Sequence, residues 1–185
     1  MLPWGHLAVG YVTYSLVERV GRGRAPGGAA VLWLAIGTQF PDLIDKPLAW
    51  WFGLIPSGRM VAHSLLVALP VIVVVARYAY RRDRPRDGFA FAIGYVTHLL
   101  GDSIGLLLGG AYWRTRFLVW PLVPPIDYEI QESVLAHLAD VEPSALLPVV
   151  PIALLWLYDG RPGLAELRVL SSHLSSVHPP GEDRN

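Results

Sequence analysis

The apolar residues of this 185-residue chain fall into five blocks. The blocks are Leu7–Val20, Ala29–Phe40, Val61–Tyr80, Phe89–Gly109 and Ala145–Tyr158. A helix needs about 20 apolar residues to cross the hydrocarbon core of a bilayer, a length that the third and fourth blocks reach. The other three are shorter and would be tilted, re-entrant or packed inside the protein. This pattern predicts an all-α fold, a small helical transmembrane bundle of about five apolar segments.

The overall composition supports a membrane protein. Hydrophobic residues make up 53% of the chain and charged residues 16%, whereas a soluble domain carries about 25% charge. The net charge is zero, which gives no basic field for a nucleic-acid partner. The absence of cysteine excludes disulfides and thiolate chemistry. We expect a membrane-embedded helical domain with a metal site over residues 1–160, and a cytoplasmic tail over 161–185 whose end is disordered.

The arginines predict the orientation. They concentrate in three places: between the first and second blocks, between the third and fourth, and after the fifth. With five spans, all three places fall on one side of the membrane, and the positive-inside rule makes that side cytoplasmic. The sequence therefore predicts a multi-pass protein of the cytoplasmic (inner) membrane of a prokaryote, with its N-terminus outside.

Two ionisable residues interrupt the fourth block. His98 and Asp102 are four residues apart, so on a helix they share one face and lie about 6 Å apart along the axis. An imidazole and a carboxylate at this spacing can bind one metal ion. Ionisable groups in an apolar span are costly and mark function. A hydrogen bond that pins two helices is the equally open alternative.

Further candidate ligands fall at the same, outer end of the predicted bundle. They are His6, Asp42, Asp45 and His63. Each has a simpler explanation. His6 would be an interfacial histidine, Asp42 a cap for the next turn, Asp45 a partner of Lys46, and His63 a residue of the turn before the third block.

A weaker candidate lies in the last outer connection. His137, with Glu129 and Glu132, would complete a second site, although a solvated face is the favoured reading there.

Imidazole and carboxylate ligands suit zinc, and also manganese or iron. Three histidines and three aspartates exceed what one tetrahedral zinc needs. Either two metals share a carboxylate, or some aspartates orient a ligating histidine from behind. A two-metal site would suit hydrolysis of a phosphate ester by a metal-activated water. Arg59, Arg114 or Arg116 would then neutralise phosphate oxygens.

The order of these motifs resembles a known family. His6, Pro41-Asp42-Leu43-Ile44-Asp45, His63-Ser64 and His98-Leu99-Leu100-Gly101-Asp102 are similar to the predicted membrane-bound metal-dependent hydrolases of the LexA-binding, inner-membrane-associated type. The series also resembles a reduced form of the zinc-dependent phospholipase C pattern. The further His and Glu ligands of that enzyme have no clear counterpart here.

The resemblance implies specific roles for these residues. Asp42 or Asp45 would hold one metal together with His63, His98 and Asp102. His6 and a bridging Asp102 would hold a second. Asp45 and Asp102 are the predicted catalytic carboxylates.

Three functions remain open from the sequence. The first is a membrane-bound phosphoesterase acting on a phosphate ester such as a phospholipid head group, with membrane lipid as its surroundings. The second is a non-enzymatic membrane protein, either a metal-ion carrier or a scaffold with structural His/Asp pairs. The third is a soluble, all-helical enzyme. The nearly unbroken apolar inner halves of the third and fourth blocks argue against a carrier.

Overall fold

The protein is an antiparallel bundle of helices. A computed structural model describes residues 2–124, 146–147 and 149–177, and within these ranges it contains helices and no strand. The four long helices are α1 Pro3–Arg22, α2 Gly28–Trp50, α3 Leu65–Arg81 and α4 Pro85–Leu108. They are followed by a 3-10 helix Tyr112–Val119 and by α5 Val149–Tyr158 and α6 Leu164–Val177. The all-α prediction is confirmed.

Helix α4 is the centre of the bundle and packs against α1, α2 and α3. It approaches α2 closely at two glycines. A Cβ atom on Gly94 would lie 2.4 Å from the carbonyl oxygen of Leu34, and one on Gly37 would lie 2.3 Å from that of Phe91. Small residues at such crossings let helix backbones meet, as is common between membrane helices. These two glycines therefore set the distance between α2 and α4.

Helix α2 extends ten residues past the block predicted from the sequence. It continues through Pro41 and Pro47 to Trp50, although proline cannot donate to the helical ladder. Contacts in the bundle hold the extension in place. Pro41 and Asp45 are buried, and Asp45 accepts hydrogen bonds from the backbone of residues 60, 62 and 63. Tertiary contacts here override the local preference to break the helix.

Helix α3 starts later than its apolar block. The side chain of Ser64 accepts a hydrogen bond from the amide of Leu66 and caps the helix. Residues 61–64 therefore form a turn, and α3 is 17 residues long, shorter than the span expected of the third block. Among the described residues, one helix, α4, is long and apolar enough to cross a membrane by length and composition.

The surface of the bundle is apolar in patches that suit lipid. Helix α3 exposes large side chains along its length, namely Leu65, Leu66, Leu69, Val73 and Val74. Contiguous exposed apolar surface of this kind marks an interface with membrane or protein.

The alternating helices give the bundle two distinct ends. The start of α1, the end of α2, the start of α3 and the end of α4 form one end, which we call the His/Asp end. The other, the arginine end, contains ion pairs of Arg19 with Asp159 and of Arg22 with Glu18. Helix α6 occupies part of the predicted tail, and Gly163 just before it lies beside Leu32 of α2. Residues 178–185 lie outside the described ranges.

Candidate metal centre

Five of the six predicted ligands converge at the His/Asp end. They are His6 of α1, Asp42 of α2, His63 of the turn before α3, and His98 and Asp102 of α4, and all five are buried. Their ligand atoms form two overlapping groups that could hold a metal ion, each with all atoms within 4.8 Å of one another. His6, His98 and Asp102 make one group, and Asp42, His63 and His98 make the other.

The distances place the carboxylates around two imidazole nitrogens. His63 Nε2 lies 3.6 Å from Asp42 Oδ1 and 3.6 Å from Asp102 Oδ2. His98 Nε2 lies 3.8 Å and 3.9 Å from the same two oxygens. The ring of His6 stacks on that of His98 with centroids 3.8 Å apart, and its Nε2 lies 3.4 Å from Asp102 Oδ1.

The backbone of α2 fixes the tautomer of His98. Its Nδ1 lies 2.7 Å from the carbonyl oxygen of Thr38. A carbonyl only accepts, so Nδ1 carries the hydrogen, and Nε2 of the neutral ring presents a lone pair. The close approach of α2 and α4 at Gly94 brings this carbonyl within reach. Pro41 has no N–H to donate to the carbonyl of Gly37, so the helical hydrogen bonds are interrupted next to the Thr38 carbonyl that His98 uses.

A buried carboxylate fixes the tautomer of His63 in the same way. Asp45 is fully buried and accepts hydrogen bonds from the amides of Met60, Ala62 and His63. Its Oδ2 also lies 2.8 Å from His63 Nδ1. An ionised Asp45 makes Nδ1 the donor, so that Nε2 of the neutral ring also presents a lone pair.

The resulting set of atoms could hold a cation. The Nε2 atoms of His63 and His98 are 3.1 Å apart, and two lone pairs at that distance repel each other unless a proton or a metal ion lies between them. Asp42 Oδ1 is buried and has no hydrogen-bond partner within the described part of the chain. Burial of an unpaired carboxylate oxygen is costly. The chemistry of these donors therefore fits a divalent metal.

A proton is the competing occupant. Burial lowers the pKa of the His63 imidazole, but the carboxylates of Asp102 and Asp45 outweigh it, so that this pKa lies above its usual value. A protonated His63 would donate from Nε2 to His98. A metal must displace that proton, because a ligating imidazole is neutral.

Two basic side chains border the cluster. Lys46 Nζ lies 2.5 Å from Asp42 Oδ2, and Arg59 Nε lies 2.7 Å from Asp102 Oδ2. Both side chains are partly exposed, so they connect the buried carboxylates to the surface. Lys46 therefore pairs with Asp42, one helical turn before it, and not with Asp45 as the simpler explanation of that residue had it. Asp42 caps no turn, because α2 continues past it.

Asp45 lies behind the cluster. Neither group of potential ligand atoms in the described residues includes it, and its oxygens are engaged by the backbone and by His63. It corresponds to the predicted alternative in which an aspartate orients a ligating histidine. His137, Glu129 and Glu132 lie outside the described residues.

Sequence reasoning did not find Thr38, and it did not assign Arg59 to Asp102. Thr38 acts through its backbone carbonyl, for which the residue type gives no signal. The Asp42–Lys46 spacing of four residues would have been informative only if α2 had been expected to continue past Pro41.

Fold and site together define an all-helical, membrane-associated protein with a buried cluster of histidines and aspartates between its helices. The family model of the YdjM inner membrane protein matches residues 1–158. The chain belongs to this family, which supports a location at the inner membrane. No curated protein matches the chain, and no solved structure matches it.

Proposed function

We propose that this chain is a membrane-bound, metal-dependent hydrolase whose substrate is a phosphate ester, such as a phospholipid head group. The observation that carries the proposal is the pair of Nε2 atoms of His63 and His98, 3.1 Å apart and oriented by Asp45 and Thr38. A shared proton would pair the two nitrogens but would leave Asp42 Oδ1 without a hydrogen-bond partner in the described part of the chain, whereas a metal ion would bind both nitrogens and that oxygen.

Asp42, His63 and His98 form one group of potential ligand atoms, and Asp102 Oδ2 lies 3.6 Å from His63 Nε2, so these four residues would hold the metal. The mixture of nitrogen and oxygen ligands favours zinc. Such an ion would supply Lewis acidity for a water molecule and for a phosphoryl oxygen. His98 belongs to both groups of potential ligand atoms but has only Nε2 to offer them, because its Nδ1 is bonded to the carbonyl of Thr38. One imidazole nitrogen cannot serve two ions fully, so the described donors favour one ion, and a second ion on His6 and Asp102 stays a prediction.

The border residues support an anionic substrate. Once Asp102 shares its charge with a metal, the Arg59 guanidinium is free to bind phosphate oxygens with two parallel hydrogen bonds. Lys46 beside Asp42 provides a second, partly exposed positive charge. Asp45 is fully buried, belongs to neither group of potential ligand atoms in the described residues, and acts by orienting His63.

The aromatic residues at this end support a substrate in the lipid layer. Trp51, Phe52, Tyr112 and Trp113 are exposed just beyond α2 and α4. Tryptophan and tyrosine accumulate where membrane meets water. By the arginine asymmetry, this end faces the outside of the cell.

The test is elemental analysis of the purified protein beside His98→Ala, with Thr97→Val as the matched control. Thr97 is a buried neighbour whose hydroxyl bonds within α4. We expect about one equivalent of metal in the parent and the control, little in His98→Ala, and metal-dependent cleavage of a lipid phosphate ester. Protein without metal after preparation free of chelators would contradict the proposal. So would loss of helical assembly, rather than of metal alone, in His98→Ala.

A further inference from the structure

A pocket with both polar and apolar walls lies at the arginine end, opposite the candidate metal centre. It has a volume of about 290 Å³, near the lower end of the roughly 300–1,000 Å³ typical of ligand pockets. Its walls come from α2, from the end of α3, and from the turn into α4. The lining residues are Trp33, Tyr78, Ala79, Arg82, Arg84 and Asp87.

Asp87 is the unexplained group in this pocket. Its side chain is more than nine-tenths buried, and its Oδ2 accepts no hydrogen bond from any residue that the structure describes. The Arg84 Nη1 atom is 3.8 Å away, beyond hydrogen-bonding distance. The first turn of α4 favours a negative charge at this position. That effect does not supply a donor, so a donor in the pocket would remove the cost of the unpaired oxygen.

Two arginines give the same pocket positive charge. The Arg82 guanidinium lies 5.3 Å from the centre of the Tyr78 ring, which holds it at the wall of the pocket. Arg84 is exposed, with about two-thirds of its side chain accessible. A small cavity that offers a buried carboxylate and two guanidinium groups is complementary to a ligand with one negative and one positive group. A simple anion would leave Asp87 unsatisfied.

Exposed apolar side chains lie one helical turn from residues that line the pocket. One turn from Tyr78 towards the middle of the bundle, Val74 is exposed, and one turn from Trp33 in the same direction, Ile36 is exposed. Basic pockets between helices at the cytoplasmic side of membrane proteins commonly bind phospholipid head groups. Apolar side chains next to the pocket would accommodate acyl chains.

We propose that this pocket binds the phosphoethanolamine head group of a membrane phospholipid. Arg82 and Arg84 bind the phosphate, and Asp87 accepts a hydrogen bond from the primary ammonium. Val74 and Ile36 contact the acyl chains. This lipid site is independent of the metal centre and of the hydrolase activity proposed for it.

The test is native mass spectrometry of the full chain, delipidated in detergent and then mixed with phosphatidylethanolamine, phosphatidylcholine or phosphatidylglycerol. We expect retention of phosphatidylethanolamine to exceed that of both other lipids by about tenfold. The trimethylammonium of phosphatidylcholine has no N–H to donate, and phosphatidylglycerol has no cation. Asp87→Asn should abolish the preference over phosphatidylglycerol, and Arg82→Ala should weaken binding of all three lipids. Arg86→Ala, an exposed arginine outside the pocket, is the matched control and should change nothing.

Several results would overturn the proposal. Equal retention of the three lipids would do so, as would an unchanged preference in Asp87→Asn. Equal effects of Arg82→Ala and Arg86→Ala would show a general charge effect in place of a site. Full displacement by water-soluble glycerophosphoethanolamine at equal concentration would assign the pocket to a soluble ligand. Metal content of Asp87→Asn should match the parent, which separates this test from that of the proposed function.

Discussion

Asp45→Asn is the substitution that best tests the geometry of the candidate metal centre. The carboxylate accepts three backbone amides and the Nδ1 hydrogen of His63. Asparagine has one accepting oxygen, which at the Oδ2 position would still accept from Met60 and His63, while its NH2 group would face the Ala62 amide. The bond to His63 Nδ1 would lose its negative charge, so Nε2 of His63 would be directed towards His98 less firmly, while His63 itself remains.

The expected loss follows from the position of Asp45 behind the ligand. Changes to residues that orient a ligating histidine reduce metal affinity about 10- to 100-fold, which corresponds to about 1.4 to 2.8 kcal/mol. Unsatisfied donors around a buried residue cost a further amount of stability, about 1 to 3 kcal/mol. Asp45→Asn should therefore bind zinc more weakly and also unfold at a lower temperature.

The assay is competition for zinc with a chromophoric chelator in detergent, at a temperature where circular dichroism shows the variant to be folded. Glu18→Gln is the control, because it removes the charge of another buried acid at the arginine end. A zinc affinity of folded Asp45→Asn within twofold of the parent would refute the role assigned to Asp45. An equal loss in Glu18→Gln would assign the effect to stability alone.

Three further results are expected. Zinc affinity should fall about tenfold for each unit by which the pH drops once His63 is protonated. Because the pKa of His63 is raised, this loss should begin at a higher pH than it would for a free imidazole. A competition titration with a chelator from pH 8 to 5 in which zinc affinity does not change would contradict ligation by His63. Gly94→Ala should separate α2 from α4, which would cost about 1 to 3 kcal/mol of stability and weaken zinc binding. Thermal unfolding measures the first effect, and competition with a chelator for zinc measures the second. The control Gly105→Ala, whose added Cβ would have no atom within 4 Å, should be neutral in both. Arg59→Ala should raise KM for an anionic phosphate ester while zinc affinity stays equal or rises, since Arg59 competes for Asp102; a parallel loss of both would show that Arg59 only supports the fold.

The convergence of the ligands could be predicted because it depends only on the direction of each helix and on the end of the helix at which each ligand lies. Arginine clusters at alternate connections fix which ends of the helices lie together. Any His or Asp near the other ends is then brought to one place. The arginine pattern alone, without any knowledge of packing, brings together five ligands from four separate stretches: His6, Asp42, His63, His98 and Asp102.

The finer arrangement depends on contacts that no local pattern contains. Proline predicts a helix end, and α2 continues through Pro41 and Pro47 because its far half is buried and bonded to the following turn. That continuation places Lys46 one turn beyond Asp42 and directs Asp45 towards His63. Tertiary structure therefore decides that Asp42 is a candidate ligand and that Asp45 orients His63. The Pro-Asp-x-x-Asp motif that contains both residues does not indicate which aspartate has which role.

The two ion pairs at the edge of the cluster bear on the cost of burying its acids. Asp42 is paired with the Lys46 ammonium and Asp102 with the Arg59 guanidinium. The chain itself therefore supplies a counter-charge for each of these carboxylates, which offsets part of the penalty for taking them out of water. Both cations come from residues 46–59, so one short stretch of sequence compensates acids on two different helices.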